Sequence, residues 1–323
     1  MKHEYPRILF LGTPDFAVES LNRIVTAGYN VVGVVTMPDK PAGRGHHLYQ
    51  SPVKEYAVAH DIPVLQPIKL KDPEFVQQLR DLNADLFIVI AFRMLPEIVW
   101  SMPPLGTFNL HASLLPKYRG AAPINRAVMN GETQTGVTTF MLQHEIDTGD
   151  VLRQEAIEIG PDENVGSVHD RLMLLGADLV IDTIEHIVAG TLKPLPQDQM
   201  IVDSGQEATP APKIFKDDCR IDWTRSARDV HNHVRGLSPY PAAWCVLKTD
   251  DSTEIEMKVM ETRISAEKNF GQPGDVCIKN GCMLVACSDG VVEITSVRPA
   301  GKKLMETAAY LRGARLVSPK MVL

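Results

Sequence analysis

The run Asp85-Leu-Phe-Ile-Val-Ile-Ala91 constrains the fold more than any other stretch of this chain. After Asp85 no polar residue interrupts it. A strand with one wet face alternates apolar and polar residues, whereas an unbroken apolar strand is buried on both faces, as inside a parallel sheet. The surrounding pattern agrees. Arg7–Leu11 and Val31–Val35 are strand-like, and a helical pattern opens at Pro14-Asp15 and continues to Val25. Further helices are expected over 53–59 and 75–82. Thr107–His111 reads as the next strand, followed by a helix near 123–129, a strand pair at 136–142 and 151–159, and a long amphipathic helix over 165–188. Strand–helix alternation predicts a doubly wound, mostly parallel α/β sheet of Rossmann-like type, with ligands at the C-terminal strand ends.

A chain of 323 residues exceeds the usual single domain, and its character changes after residue 190. Lys193-Pro-Leu-Pro196 and Thr209-Pro-Ala-Pro212 flank a polar stretch, giving a proline-rich linker over 191–212. Beyond it come one helix, 226–235, and short strand-like runs at 243–247, 254–262, 274–278, 283–286 and 291–297, separated by Gly, Asn and Asp. That spacing predicts a small OB-like β-barrel. The expected organisation is therefore a catalytic domain over 1–190, a linker over 191–212 and an OB-like domain over 213–323. The net charge of −7 is unevenly spread. Residues 213–323 hold 17 Lys and Arg against 14 Asp and Glu, a balance of +3, which leaves 16 against 26, or −10, for residues 1–212. A mildly basic C-terminal part suits a polyanion, and scattered surface charge explains the number equally well.

Several classes are disfavoured. The five cysteines, Cys219, Cys245, Cys277, Cys282 and Cys287, are odd in number and lack any CxxC spacing, so a disulfide framework or a zinc site is not expected. No apolar run approaches a membrane span, and no signal peptide is recognised, so a cytoplasmic location is expected. The first strand–helix turn, Leu11-Gly12-Thr13-Pro14-Asp15-Phe16, has one glycine where a dinucleotide fingerprint needs three, and there is no Walker A sequence.

The chemistry concentrates in residues 109–147. Asn109 and His111 are two apart, so on an extended strand both point to one face. Asn, His and Asp147 together suit acyl transfer to an amine: an amide donor stabilises an oxyanion, an imidazole handles a proton, and a carboxylate fixes the imidazole. A lone strand histidine is more often structural, and Asp147-Thr-Gly149-Asp150 is also ordinary turn chemistry. The residues alone leave both readings open.

Longer motifs carry a resemblance. Asn109–Ile124 reads N-L-H-A-S-L-L-P-K-Y-R-G-A-A-P-I; Asp147, Gly149 and Asp150 form a D-x-G-D turn; Phe10–Ala17 reads F-L-G-T-P-D-F-A; and Pro38–Gly45 reads P-D-K-P-A-G-R-G. On these motifs the chain resembles, from end to end, the methionyl-tRNA formyltransferases of the folate-dependent formyltransferase superfamily. The resemblance implies 10-formyltetrahydrofolate as co-substrate, with no permanently bound cofactor and no metal, and methionyl initiator tRNA as acceptor. It implies catalytic roles for Asn109, His111 and Asp147. Folate contacts are expected from Ser113, Leu114, Leu115 and Pro116, and from Ile90, Ala91, Phe92, Met94 and Leu95. Arg93 departs from the family pattern, which has Tyr-Gly where this chain has Phe92-Arg93. The Gly43-Arg44-Gly45 loop, with Lys40 beside it, and Lys213 are expected to contact tRNA, because Arg pairs with phosphate and stacks on bases. Lys216, Arg225, Arg228 and Arg235 are further phosphate candidates, or a solvated helix face. A monomer without membrane association is expected. The alternative is a related folate-dependent formyltransferase acting on a small amine.

Overall fold

The computed structural model describes residues 6–42, 47–205, 207–249, 253–314, 316 and 319–322. The chain forms two compact units. One comprises Met1–Gly120, Gly136–Ile157 and His169–Pro210; the other comprises Ala121–Thr135, Glu158–Val168 and Ala211–Leu323.

The elements up to residue 211 are β1 (Arg7–Gly12), α1 (Asp15–Thr26), β2 (Asn30–Val35), β3 (Lys40–Ala42), β4 (His47–Tyr49), α2 (Pro52–Ala59), β5 (Val64–Leu65), α3 (Pro73–Asp81), β6 (Leu86–Ile90), α4 (Glu97–Trp100), β7 (Thr107–His111), β8 (Arg119–Gly120), α5 (Pro123–Met129), β9 (Gln134–Met141), β10 (Val151–Glu158), α6 (Val165–Ala189), α7 (Gln197–Ser204) and β11 (Pro210–Ala211). The first unit is built on a seven-stranded sheet ordered β10-β9-β7-β6-β1-β2-β5. From β5 to β7 the neighbours are parallel, and β9 runs antiparallel to β7. The unbroken apolar run is β6, the central strand of the sheet, buried at every position. Its burial on both faces is the physical reason for the missing alternation.

Short-range chemistry sets the helix starts. The Ser51 side chain accepts a hydrogen bond from Lys54 N and Pro52 opens α2; Asp72 and Pro73 do the same for α3. A Cβ on Gly12 would lie 2.8 Å from Ala17 Cβ and 3.2 Å from Ile90 O, so the β1–α1 turn passes close to the end of β6 only because Gly12 has no side chain. One face of the sheet packs Leu9, Leu11, Phe87 and Val89 against Phe75, Val76 and Leu79 of α3 and Leu95 and Val99 around α4. Burying each such side chain stabilises by about 1.5–3 kcal/mol. On β7 and β9 the other face meets α6. A Cβ on Gly176 would sit 2.7 Å from Leu110 Cδ2, and the Thr139 and Thr183 hydroxyls are 2.8 Å apart. Leu110 therefore faces α6, which directs Asn109 and His111 to the opposite side.

The second unit contains α8 (Ala227–Leu237), β12 (Ala243–Lys248), β13 (Glu254–Ile264), β14 (Val276–Lys279), β15 (Cys282–Ala286), β16 (Val291–Pro299), β17 (Met305–Glu306), α9 (Thr307–Gly313) and β18 (Lys320–Met321). Its sheet is ordered β14-β15-β16-β13-β12-β18, with β17 on β16, and the paired strands are antiparallel. An isolated bridge between Asp275 and Lys320 brings the two edges together and nearly closes the barrel, as the strand spacing predicts. The core holds Trp223, Val230, Val234, Met257, Val259, Val285 and Ile294 and also Met129 of α5. Helices α5 and α8 touch backbone to backbone: a Cβ on Gly236 would lie 2.8 Å from Met129 N, and Asn125 Nδ2 donates to Gly236 O at 2.8 Å.

One expectation changes here. Arg235 is not a phosphate-facing cation. It is buried, and its guanidinium donates to Asn232 Oδ1 and to the carbonyls of Gly160 and Glu163. The proline-rich stretch 191–212, expected as a linker, carries α7 and β11. Polar composition hid α7, which has few large apolar side chains to mark a buried face.

Candidate active site

β7 ends at His111, one strand away from Ile90 at the end of β6, because the parallel register pairs Ile90 with Leu110. On its other side His111 pairs with Thr138 of β9. Asn109 is half-buried and His111 buried on the face away from α6. His111 Nε2 lies 2.8 Å from the carbonyl oxygen of Tyr118, a residue at φ +61°. A carbonyl only accepts, so Nε2 carries a proton and donates. That leaves Nδ1 to face Asp147 Oδ2 at 3.8 Å. The separation exceeds a direct hydrogen bond. With Nε2 committed to Tyr118, Nδ1 is the ring nitrogen left on the Asp147 side.

Asp147 sits in the turn after β9 with φ +55°. Its Oδ2 accepts a hydrogen bond from Gly120 N at 2.9 Å. Gly149 passes so close to the backbone of β9 that an added Cβ would fall 1.7 Å from Met141 O. Gln197, the first residue of α7, is buried beneath this turn. Its Nε2 donates to Asp147 O at 3.0 Å and Gly149 O at 2.8 Å, and its Oε1 accepts from Arg119 Nε at 3.0 Å and Nη2 at 2.8 Å. Residues in sparsely populated backbone regions persist where surrounding contacts over-determine them, and functional sites concentrate them.

The expected folate residues divide into two groups. Ser113 and Leu115 are buried: Ser113 Oγ donates to Lys117 O at 2.7 Å, and Leu115 packs with Phe140 and Val151. Thr138 Oγ1 ties the turn together, donating to Ser113 O at 2.6 Å and accepting from Leu115 N and from Gln154 Nε2. Leu114 packs against Gly136, and Pro116 follows a cis peptide bond. These residues build the turn beside His111. Along the second segment, Ile90 and Leu95 are core residues, Phe92 is half-buried, and Ala91 at φ +47° and Met94 are exposed. Arg93, the departure from the family pattern, clamps this segment. Its Nη1 donates to Ile68 O at 2.9 Å and its Nη2 to Pro67 O, and its guanidinium lies 5.6 Å from the Phe92 ring centroid. Partial burial pushes the Arg93 pKa down from its usual value.

Residues 6–184 match the family model described as formyl transferase, and residues 213–315 match the formyl transferase C-terminal domain. A methionyl-tRNA formyltransferase from Bacteroides fragilis is 55% identical over 317 residues, covering 98% of this chain and 97% of its own. The chain belongs to the methionyl-tRNA formyltransferase family. Solved structures share the fold: a sugar 3N-formyl transferase, WlaRD, has a TM-score of 0.65 at 16% identity, covering 93% of this chain and 99% of its own. HypX from Aquifex aeolicus has a TM-score of 0.63 at 19% identity over 97% of this chain, which spans 49% of HypX.

Within this methionyl-tRNA formyltransferase family member, sequence reasoning missed Tyr118, whose carbonyl fixes the imidazole, and Gln197. No local pattern announces a backbone carbonyl or a single buried amide. Of the expected tRNA residues, Lys40 is exposed at the start of β3 and Lys213 is exposed with its Nζ 5.5 Å from the Phe215 ring centroid. Arg44 lies outside the described residues. No helix among the described residues is long and apolar enough to cross a membrane.

Proposed function

We infer that the protein transfers the formyl group of 10-formyltetrahydrofolate to the α-amine of methionyl initiator tRNA, yielding N-formylmethionyl-tRNA and tetrahydrofolate. The observation that carries this reading is the 55% identity to a methionyl-tRNA formyltransferase across 98% of the chain, both units included. The small-amine alternative finds support only in likeness of fold at 16% identity.

The amine attacks the formyl carbon, and a tetrahedral oxyanion forms. The Asn109 amide and a proton on His111 Nδ1, the nitrogen not committed to Tyr118, stabilise that oxygen, a type of contribution worth about 2.7–4 kcal/mol per donor. Collapse breaks the bond to the folate nitrogen, and the proton lost by the amine reaches that nitrogen through His111 or a water beside it. Asp147 balances the imidazole charge as it forms. No covalent intermediate is required. The folate lies along 90–95 and 113–116, held by Ile90, Ala91, Phe92, Met94, Leu95 and Ser113–Pro116, with Arg93 stiffening the first of these segments. Residues 1–190 carry the chemistry and 213–323 bind tRNA, joined through 191–212. Lys40, Arg44 and Lys213 contact the tRNA. The protein acts as a monomer in the cytoplasm.

The test is incubation with 10-formyltetrahydrofolate and methionyl initiator tRNA, with mass detection of formylmethionine after mild deacylation. Formylation of glycinamide ribonucleotide or an amino sugar nucleotide, with none of the charged tRNA, would replace this reading by the alternative.

A further inference from the structure

We propose that Gln197, the first residue of α7, is a positioning residue for Asp147. The proposal rests on the reading of Asn109, His111 and Asp147 as the reacting group and deepens it.

The hydrogen-bond capacity of Gln197 is fully used. Both amide protons go to carbonyls of the Asp147 turn, at Asp147 and Gly149, and the amide oxygen takes two donors from one edge of the Arg119 guanidinium. Acceptors stand on one side and donors on the other, so only one orientation of the amide satisfies its neighbours. The residue is 2% exposed, so water cannot substitute for any partner. Its two sets of bonds grip the chain at two places that matter to Asp147. One is the Asp147 backbone itself, held at φ +55°. The other is Arg119, whose successor Gly120 donates its N–H to Asp147 Oδ2. A single side chain from α7 therefore fixes both the aspartate and the donor that aims its carboxylate. The 3.8 Å gap to His111 Nδ1 depends on both. A pair held by geometry rather than by a direct hydrogen bond is sensitive to small displacements, and a shift of about 1 Å in a reacting group can cost ~100-fold in rate.

Gln197→Glu tests this. The carboxylate keeps the volume and the Arg119 bonds, and loses both donors to the turn. Expected are a turnover about tenfold or more below wild type, Michaelis constants for folate and tRNA within about twofold, and a melting temperature that is lowered but stays above the assay temperature. Gln197→Leu, which removes every bond, serves if the buried carboxylate prevents folding. The distinguishing readout is a double-mutant cycle with Asp147→Asn. If Gln197 acts through Asp147, then Gln197→Glu costs less than about twofold in the Asp147→Asn background, because interacting positions are non-additive. Wild-type turnover in a folded Gln197 variant, or an undiminished loss in the Asp147→Asn background, overturns the proposal. Wild-type turnover in Asp147→Asn with Gln197 intact overturns the site reading itself, and this proposal with it.

Discussion

Replacing Gly149 by alanine adds one methyl group at the most crowded backbone position in the Asp147 turn. The new Cβ would lie 1.7 Å from Met141 O and 2.9 Å from Met141 C. Carbon and oxygen meet comfortably at about 3.3 Å, so the turn must retreat by ~1.5 Å. The 2.8 Å bond from Gln197 to Gly149 O then breaks, and Asp147, two residues away, moves with it. Displacement on this scale is expected to lower turnover by about 100-fold or more. Overpacking costs about 1–3 kcal/mol and the lost buried Gln197 bond about 1–3 kcal/mol more, a sum below the stability of most proteins of this size. The assay is single-turnover formylation of methionyl initiator tRNA at saturating folate, paired with a thermal melt. Gly313→Ala is the control, because a Cβ there meets nothing within 4 Å, and it should leave turnover unchanged. A folded Gly149→Ala protein within about threefold of wild-type turnover would refute the claim that the placement of this turn governs the chemistry, since the sterics permit no unshifted accommodation.

His111→Ala is expected to fold normally and to lose at least about 100-fold in turnover, as removal of a proton-handling group does; single-turnover rates with a matching circular-dichroism spectrum check it. Arg44→Ala is expected to raise the Michaelis constant for tRNA while calorimetry finds the folate dissociation constant unchanged, because its guanidinium is assigned to the nucleic acid rather than to the strand ends. Stability should fall as pH drops below 6.5. Burial holds His231 and His233 below their ordinary value of 6.5, so the folded state keeps both neutral where the unfolded chain takes up protons. Their contribution is complete above 6.5 and is lost as pH falls toward the folded-state values. Urea melts between pH 7.5 and 5.5 should show this slope, and His233→Asn should flatten it.

How far the sequence reaches depends on the range of the interactions. The unbroken run that became β6 is local, because burial on both faces leaves its mark residue by residue. Asn109 and His111 share a face for an equally local reason, the two-residue period of a strand. Arg235 could not be placed this way. Its charge suggested a surface, and beside the local bond to Asn232 its burial rests on the Gly160 and Glu163 carbonyls, more than seventy positions earlier. Gln197 failed to stand out because its role rests on three partners from two distant segments. The helix at 123–129 was found, but its packing on α8 was not, since nothing in seven residues says which core will receive Met129.

That last feature bears on how the protein is made. Met129 leaves the ribosome well before Gly236, against which it packs, and before Trp223 and Val230 of the same core. At roughly 5–20 residues per second the interval is about 5–20 s. During it α5 and the carbonyls of Gly160 and Glu163 are synthesised, while Arg235, which donates to those carbonyls, and the core that buries Met129 are not. The second unit therefore cannot begin to close on its own first-made piece until translation is nearly over, and a nascent chain stalled near residue 212 would present an unburied Met129 to chaperones and proteases.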